Sequence, residues 1–361
     1  MILTIIVFLI VLGILVIVHE FGHFVVAKKT GVKVLEFAVG FPPRLYSKKR
    51  GETEYSINAV PLGGYVKMLG ELEHSKDKRA FENQKPSVRF WITIAGVVMN
   101  IVLAWVLLSI GFAIGMSPIV SSPDSIPGKK LSSEIILADV AKDSPADKAG
   151  IQAGDIALSA TSNGVYTAFS SLNQFDAYNA DHKGKIVTYA LKRGDETISK
   201  ETSLSEDSDS QLGVVIIEKA EIRVPWYLAP VVALRETYRI AELTFEFLGT
   251  FIKTLFIHGQ FEQGVGGPVA IYTYTGLALK AGFMVLLQFV ALLSINLALI
   301  NILPFPSLDG GRLVFVILER FFGKRVIKEN VENIIHTVGF ALLIVFIVAI
   351  TYKDIVNLFH K

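Results

Sequence analysis

The chain holds 361 residues, 52% hydrophobic and 19% charged, with a mean hydropathy of +0.50, an apolar excess that points to a membrane rather than a soluble domain. A formal net charge of +2 offers no bulk attraction for nucleic acid, so none is expected as a partner. There are no cysteines, which excludes disulfides, thiolate metal sites and cysteine nucleophiles and leaves His and carboxylates to hold any metal.

In chain order, residues 1–24 are the first expected span: apolar Met1–Val18 runs directly into His19, Glu20 and His23. It lacks the basic leader and Ala-x-Ala-like site of a signal peptide, so a retained helix is expected. Residues 25–88 form a basic loop. Within it Glu54–Val60 alternates like a strand, Pro61–Gly64 makes a turn and Tyr65–Leu69 is extended again, so a β-hairpin is expected. The second span falls within 89–116, with Phe90–Met116 free of charge.

Residues 117–222 read as a small α+β domain. Strands are expected at Glu134–Val140 and Ile156–Ala160, and near Ile186–Lys192 and Thr197–Leu204. A short helix follows Ser144-Pro145-Ala146, a turn runs through Gly150–Asp155, and Ser171–Tyr178 is helical. Residues 223–280 include Pro225–Phe256, where Arg235, Glu236, Arg239, Glu242, Glu246 and Lys253 recur among apolar residues at helical spacing. An amphipathic helix on the membrane surface, followed by a connector, is expected there; a helix against a soluble core is the other reading. The third span lies in 281–311, a second basic loop in 312–333, and the fourth span with its tail in 334–361. The expected fold is a polytopic α-helical membrane protein with four transmembrane helices, a membrane-associated hairpin and one α+β domain.

Lys and Arg concentrate in 25–88 and 312–333, so the positive-inside rule places both loops in the cytoplasm. Both termini and the 117–222 domain are then extracytoplasmic, and lipids surround the spans.

His19-Glu20-Phe21-Gly22-His23 matches His-Glu-x-x-His. On a helix the two imidazoles share one face and can bind one zinc ion while Glu20 reaches a water on the metal. Zinc brings that water's pKa towards about 7, so Glu20 can take its proton and return it to a leaving amide nitrogen. Ionisable groups in an apolar span are costly unless something pairs with them, which weighs against a plain charged flank. A catalytic zinc site wants a third protein ligand. Asp309 stands at membrane depth just after the third span, where Pro304 and Pro306 break the helix before Asp309-Gly310-Gly311. An ordinary helix terminus with a capping Asp is the alternative there.

His-Glu-x-x-His in the first span, together with Asn301-x-x-Pro304-x-Pro306-x-Leu308-Asp309-Gly310, resembles the site-2 protease family of intramembrane metalloproteases. It is most similar to its bacterial RseP-like group. Pro61–Met68 and Gly96-Val97-Val98-Met99-Asn100 extend the likeness, and SPADKAGIQAGDIAL resembles part of a bacterial PDZ domain. The resemblance implies Asp309 as third zinc ligand, Asn301 in contact with substrate, and a hairpin near the metal whose Gly63, Gly64, Tyr65 and Val66 receive an unwound substrate strand. It also implies a bacterial inner-membrane location, single-span membrane proteins as substrates, and an extracytoplasmic peptide partner for the PDZ-like domain. Two departures stand out: room for one PDZ domain where tandem copies are frequent, and Ala95-Gly96 where Gly-Pro is frequent. A membrane scaffold has no need of Glu20, and a transporter would want polar groups in several spans. Only a protease uses His19, Glu20, His23 and Asp309 together.

Overall fold

The computed structural model describes residues 2–71, 73–206, 211–258, 266–323 and 329–359. They fall into two compact units, one of residues 1–111 with 233–361 and one of residues 112–232.

The first unit carries the apolar helices. Among the described residues, four helices are long and apolar enough to cross a membrane: α1 (Ile2–Lys29), α2 (Pro86–Ile114), α7 (Phe283–Ile302) and α9 (Glu329–Phe359). The polytopic expectation therefore holds. Helix α7 stops at Ile302, short of the prolines, because proline cannot continue an i to i−4 ladder. After Pro304 and Pro306 the chain restarts as α8 (Asp309–Phe322), with Asp309 in its first turn. Leu313 and Val316 of α8 are buried, and its Glu319 accepts from buried Arg89 of α2 at 2.5 Å.

The first loop folds as β1 (Val34–Arg50) and β2 (Thr53–Met68), but not as the simple hairpin expected. Residues 54–57 and 64–67 of β2 do not pair with each other. They flank residues 36–39 of β1 on opposite sides, while 44–50 pairs with 53–58. The result is four adjacent extended segments in the order 44–50, 53–58, 36–39, 64–67, with the last at an edge. Val34, Val66 and Met68 pack with Ala27, Val32 and Ile92 in a core that joins this sheet to α1 and α2.

Residues 233–258 belong to α5 (Ala229–His258). Thr244 of this helix donates to Asn296 of α7 at 3.4 Å, and its Phe251 packs on Phe346 of α9. Residues expected as a connector contain α6 (Pro268–Ala281), which packs against α1, α7 and α9. Its N-cap is Gly267, which has no side chain to offer. Buried Asp354 of α9 takes that role, accepting from the amides of Gly267 at 2.9 Å and Ala270 at 3.0 Å.

The second unit is a six-stranded sheet in the order β7-β6-β4-β3-β8, with β5 on β4. Its strands are β3 (Lys129–Val140), β4 (Ile156–Ser162), β5 (Val165–Ala168), β6 (Ile186–Arg193), β7 (Glu196–Ser203) and β8 (Val214–Arg223). Strands β5 and β8 were not foreseen. Helices α3 (Pro145–Lys148) and α4 (Leu172–Asp181) begin at Ser144 and Ser171, whose hydroxyls accept from the Asp147 and Gln174 amides. The core gathers Ile135, Leu137, Phe175, Val187, Tyr189 and Leu191.

The turn that the sequence singled out at Gly150–Asp155 is tied down by charge. Asp155 is 1% exposed and accepts from Arg193 Nε and Nη2, each at 2.7 Å, and from the Gln152 amide at 2.9 Å. Burial pushes its carboxyl up, but the Arg193 bonds and the Gln152 amide outweigh burial and hold it below the usual range. Because the folded value lies below the unfolded one, this stabilisation is complete above the unfolded pKa of about 3.9 and is lost as pH falls through the folded value. Asp155→Asn should cost about 2 kcal/mol, less than a fully buried pair because Arg193 is one-third exposed. It should also flatten the acid-side loss of stability. Pulse proteolysis of the full-length protein in detergent across acid pH measures both, and an unchanged acid limb would remove Asp155 from the account.

Candidate metal centre

Helix α1 places His19 and His23 one turn apart on a single face, both 7% exposed. Their Nε2 atoms are 3.2 Å apart. Asp309 Oδ2, from the first turn of α8, lies 3.1 Å from the first and 3.3 Å from the second. These three are the His and carboxylate ligands that converge among the described residues. Asp309 Oδ2 is within ion-pair distance of both rings yet in hydrogen-bond geometry with neither. Where Nδ1 holds the ring proton, as at His23, Nε2 offers the Asp309 carboxylate only a lone pair. Around a tetrahedral zinc with bonds of about 2.0–2.1 Å, ligand atoms stand about 3.3–3.4 Å apart. The triangle fits that ion to within about 0.2 Å, and a fourth position remains for water or substrate.

The outer partners fit as well. His23 Nδ1 donates to the Ile92 carbonyl of α2 at 2.7 Å, which leaves Nε2 for the metal. The amide of Asn100, fully buried on α2, meets His19 Nδ1 at 3.3 Å, while its Oδ1 has no partner among the described residues. With Nε2 on a metal, His19 Nδ1 carries the proton. A half-turn of the amide then makes Oδ1 the acceptor and satisfies both groups. Ser294 of α7 holds the Asn100 carbonyl at 2.8 Å. The sequence reading gave Asn100 only as part of a resemblance, and its role in holding His19 went unseen.

Close helix approach makes this possible. A Cβ on Gly96 would collide with both imidazoles, and one on Gly22 would meet the Ala95 carbonyl and Met99. Small residues thus let α1 and α2 touch at the level of the ligands. On the other side, Gly310 and Gly311 lie against the carbonyls of residues 302, 303 and 305, so the chain doubles back tightly into α8.

A cavity of about 210 Å³ opens beside the ligands. Glu20, Tyr65, Val66, Glu71, Thr93 and Arg312 help to line it. Gly64 lies near the Glu20 side chain and Gly63 against the Phe41 ring, but neither glycine lines the cavity. Nor does Asn301, half-buried near the end of α7. Sequence reasoning missed Glu71 and Arg312, whose side chains are ion-paired across the cavity wall. Arg312 follows Asp309 by one helical turn, which was the available signal.

A His-Glu-x-x-His helix meeting a carboxylate from a distant turn, inside a bundle of membrane-length helices, defines a zinc metalloprotease of the membrane. The model for peptidase family M50 matches residues 7–346, and the chain belongs to that family. It is 36% identical over 360 residues to a protein of Clostridium acetobutylicum, covering 98% of this chain and 97% of that one. It is 28% identical to zinc metalloprotease RasP of Shouchella clausii over 443 residues, covering 99% of each.

Gly96→Ala should push both imidazoles off their geometry and lower zinc content, while Asn100→Ala should weaken zinc affinity by about 10–100-fold. Metal analysis of purified protein against a graded chelator tests both. Full zinc retention by Gly96→Ala would show that the helix contact is looser than described.

Proposed function

We propose that the protein is an intramembrane endopeptidase that hydrolyses peptide bonds in or near transmembrane segments of single-span membrane proteins. Anti-sigma factors and signal-peptide remnants are the substrate types that the family resemblance suggests. The observation that carries this reading is the His19–His23–Asp309 triangle beside a cavity that also receives Glu20 and a sheet edge.

Bound zinc would acidify a water molecule and polarise the scissile carbonyl. His19, His23 and Asp309 are its ligands in this proposal. Glu20, on the cavity wall, takes the proton from water and delivers it to the leaving amide nitrogen. A helical substrate has its peptide groups occupied by internal hydrogen bonds, so a segment must unwind before attack. Residues 64–67 have β1 on one side only, and Tyr65 and Val66 line the cavity. We assign that edge, with Gly63 and Gly64 leading into it, to strand addition by the unwound substrate. The contact role of Asn301 rests on family resemblance.

In one cleavage assay, Glu20→Gln should keep its zinc and lose proteolysis by at least about 10²-fold, the lower range for a general base. His23→Ala and Asp309→Ala should lose metal and activity together. Val66 is part of the core below the sheet, so Tyr65→Pro is the cleaner test of the edge. It should leave zinc in place and slow cleavage of helical substrates. Near-normal turnover by Glu20→Gln would end the mechanism, and near-normal turnover by Tyr65→Pro would end strand addition alone.

The distribution of Lys and Arg supports an orientation in a bacterial inner membrane with the metal towards the cytoplasm and residues 112–232 outside. The order of strands and helices in that unit supports a PDZ-like domain. Among the described residues strand β8 pairs with β3 on one side and is bridged by Met116 at Ile222 on the other, so its part before Ile222 is then the edge open to an extracytoplasmic peptide. Cysteines at exposed Lys76 and Tyr166 should react with impermeant reagents from opposite faces of the membrane. Labelling from one face would overturn the orientation.

A further inference from the structure

Within the unit of residues 112–232, a second cavity of about 640 Å³ sits where α2 ends. Ala113, Val224 and Leu228 give it apolar walls, and Lys129, Arg223 and Trp226 also line it. Ala113 belongs to the last turn of a membrane-length helix, and the Val224 amide donates to the Phe112 carbonyl of the same turn at 2.8 Å. The cavity is therefore fastened to the end of a span. Trp226 is 80% exposed and Tyr227 62%, the type and exposure of aromatic residues that settle at headgroup level.

The two cations that line the cavity, Lys129 and Arg223, belong to neighbouring strands. Lys129 and Arg223 stand directly opposite each other in the β3–β8 ladder, an arrangement in which like charges repel. Their neighbour Lys130 is neutralised by Asp124 at 2.6 Å and Glu218 at 3.0 Å. Among the described residues no carboxylate forms an ion pair with Lys129 or Arg223. Glu221, on the same side of β8 as Arg223, is placed opposite Ser132. Two adjacent cations, apolar walls and an exposed indole at the end of a span describe a receptor for an anion that carries hydrocarbon. We propose that the cavity binds the phosphate of an anionic phospholipid, with its acyl chains beside α2. The partial negative charge at the end of α2 opposes this only weakly. It amounts to about half a charge against two full ones, and the Phe112 carbonyl is already bonded.

The test uses the full-length protein in nanodiscs, with Trp91→Phe and Trp105→Phe leaving Trp226 as the reporter. Quenching of Trp226 by brominated phosphatidylglycerol is compared with quenching by brominated phosphatidylcholine at equal mole fraction. The site predicts a marked preference for the anionic lipid. Lys129→Gln or Arg223→Gln should each reduce it by roughly fivefold, and the double variant should abolish it, in line with the contribution of one basic residue near a charged surface. Lys129→Arg should retain it. Resistance of residues 112–232 to limited proteolysis reports whether each variant is folded. Equal quenching by both lipids in the unsubstituted site, or a preference untouched by the double variant, would overturn the proposal. Loss of the preference on adding inorganic phosphate at constant ionic strength would also overturn it, by showing a site for free phosphate instead.

Discussion

Bringing two imidazoles and a carboxylate together inside an apolar bundle is the demand around which this molecule is arranged. A charged carboxylate alone costs about 2.5–3.5 kcal/mol at the centre of a membrane-spanning helix, and polar imidazoles add to it. A shared divalent cation offsets that cost, provided the ligands converge from rigid elements. Helix α1 contributes two candidate ligands at fixed spacing, and α8 contributes the third by starting at Asp309. Everything near them serves to hold α1, α2 and α8 at one distance: the Gly22 and Gly96 contacts, the Arg89–Glu319 pair, and the folded-back turn at Gly310 and Gly311.

The sheet depends on the same arrangement. Residues 34–39 follow α1 after a short link and become an inner segment with β2 wrapped on both sides. The edge at 64–67 is thereby fixed relative to His23 through one continuous piece of chain and one buried core of Val34, Val66 and Met68. Glu71, just past that edge, accepts from the Met68 amide and is ion-paired to Arg312 of α8. The 64–67 edge, Glu20 and the His19–His23–Asp309 cluster are parts of one packed body rather than neighbours across a flexible loop.

Much of this was legible because the decisive signals are local. Uninterrupted apolar runs, His-Glu-x-x-His and the prolines before Asp309 each announce their consequence within a dozen residues. What escaped was set by contacts distant in sequence. The pairing of 36–39 with both halves of β2 depends on where three segments meet, and alternation alone cannot choose a partner. Strand β8 lies far along the chain from β3, its partner. Asn100 looks like any polar residue in a span until α1 is laid against it. Helix α6 was missed because its start lacks a capping side chain of its own.

That missing cap bears on how the protein is made. The first amides of α6 need acceptors, and in a bundle of membrane helices water supplies few. Their acceptor is Asp354 of α9, 87 residues beyond Gly267 and 84 beyond Ala270. During synthesis α6 leaves the ribosome well before Asp354 does, so its first turn cannot reach its final hydrogen bonding until α9 has entered the bilayer. The start of α6 is therefore completed only after α9 is in place. A protein truncated before Asp354 would contain every residue of the metal centre and still lack the carboxylate that completes a helix packed directly against α1.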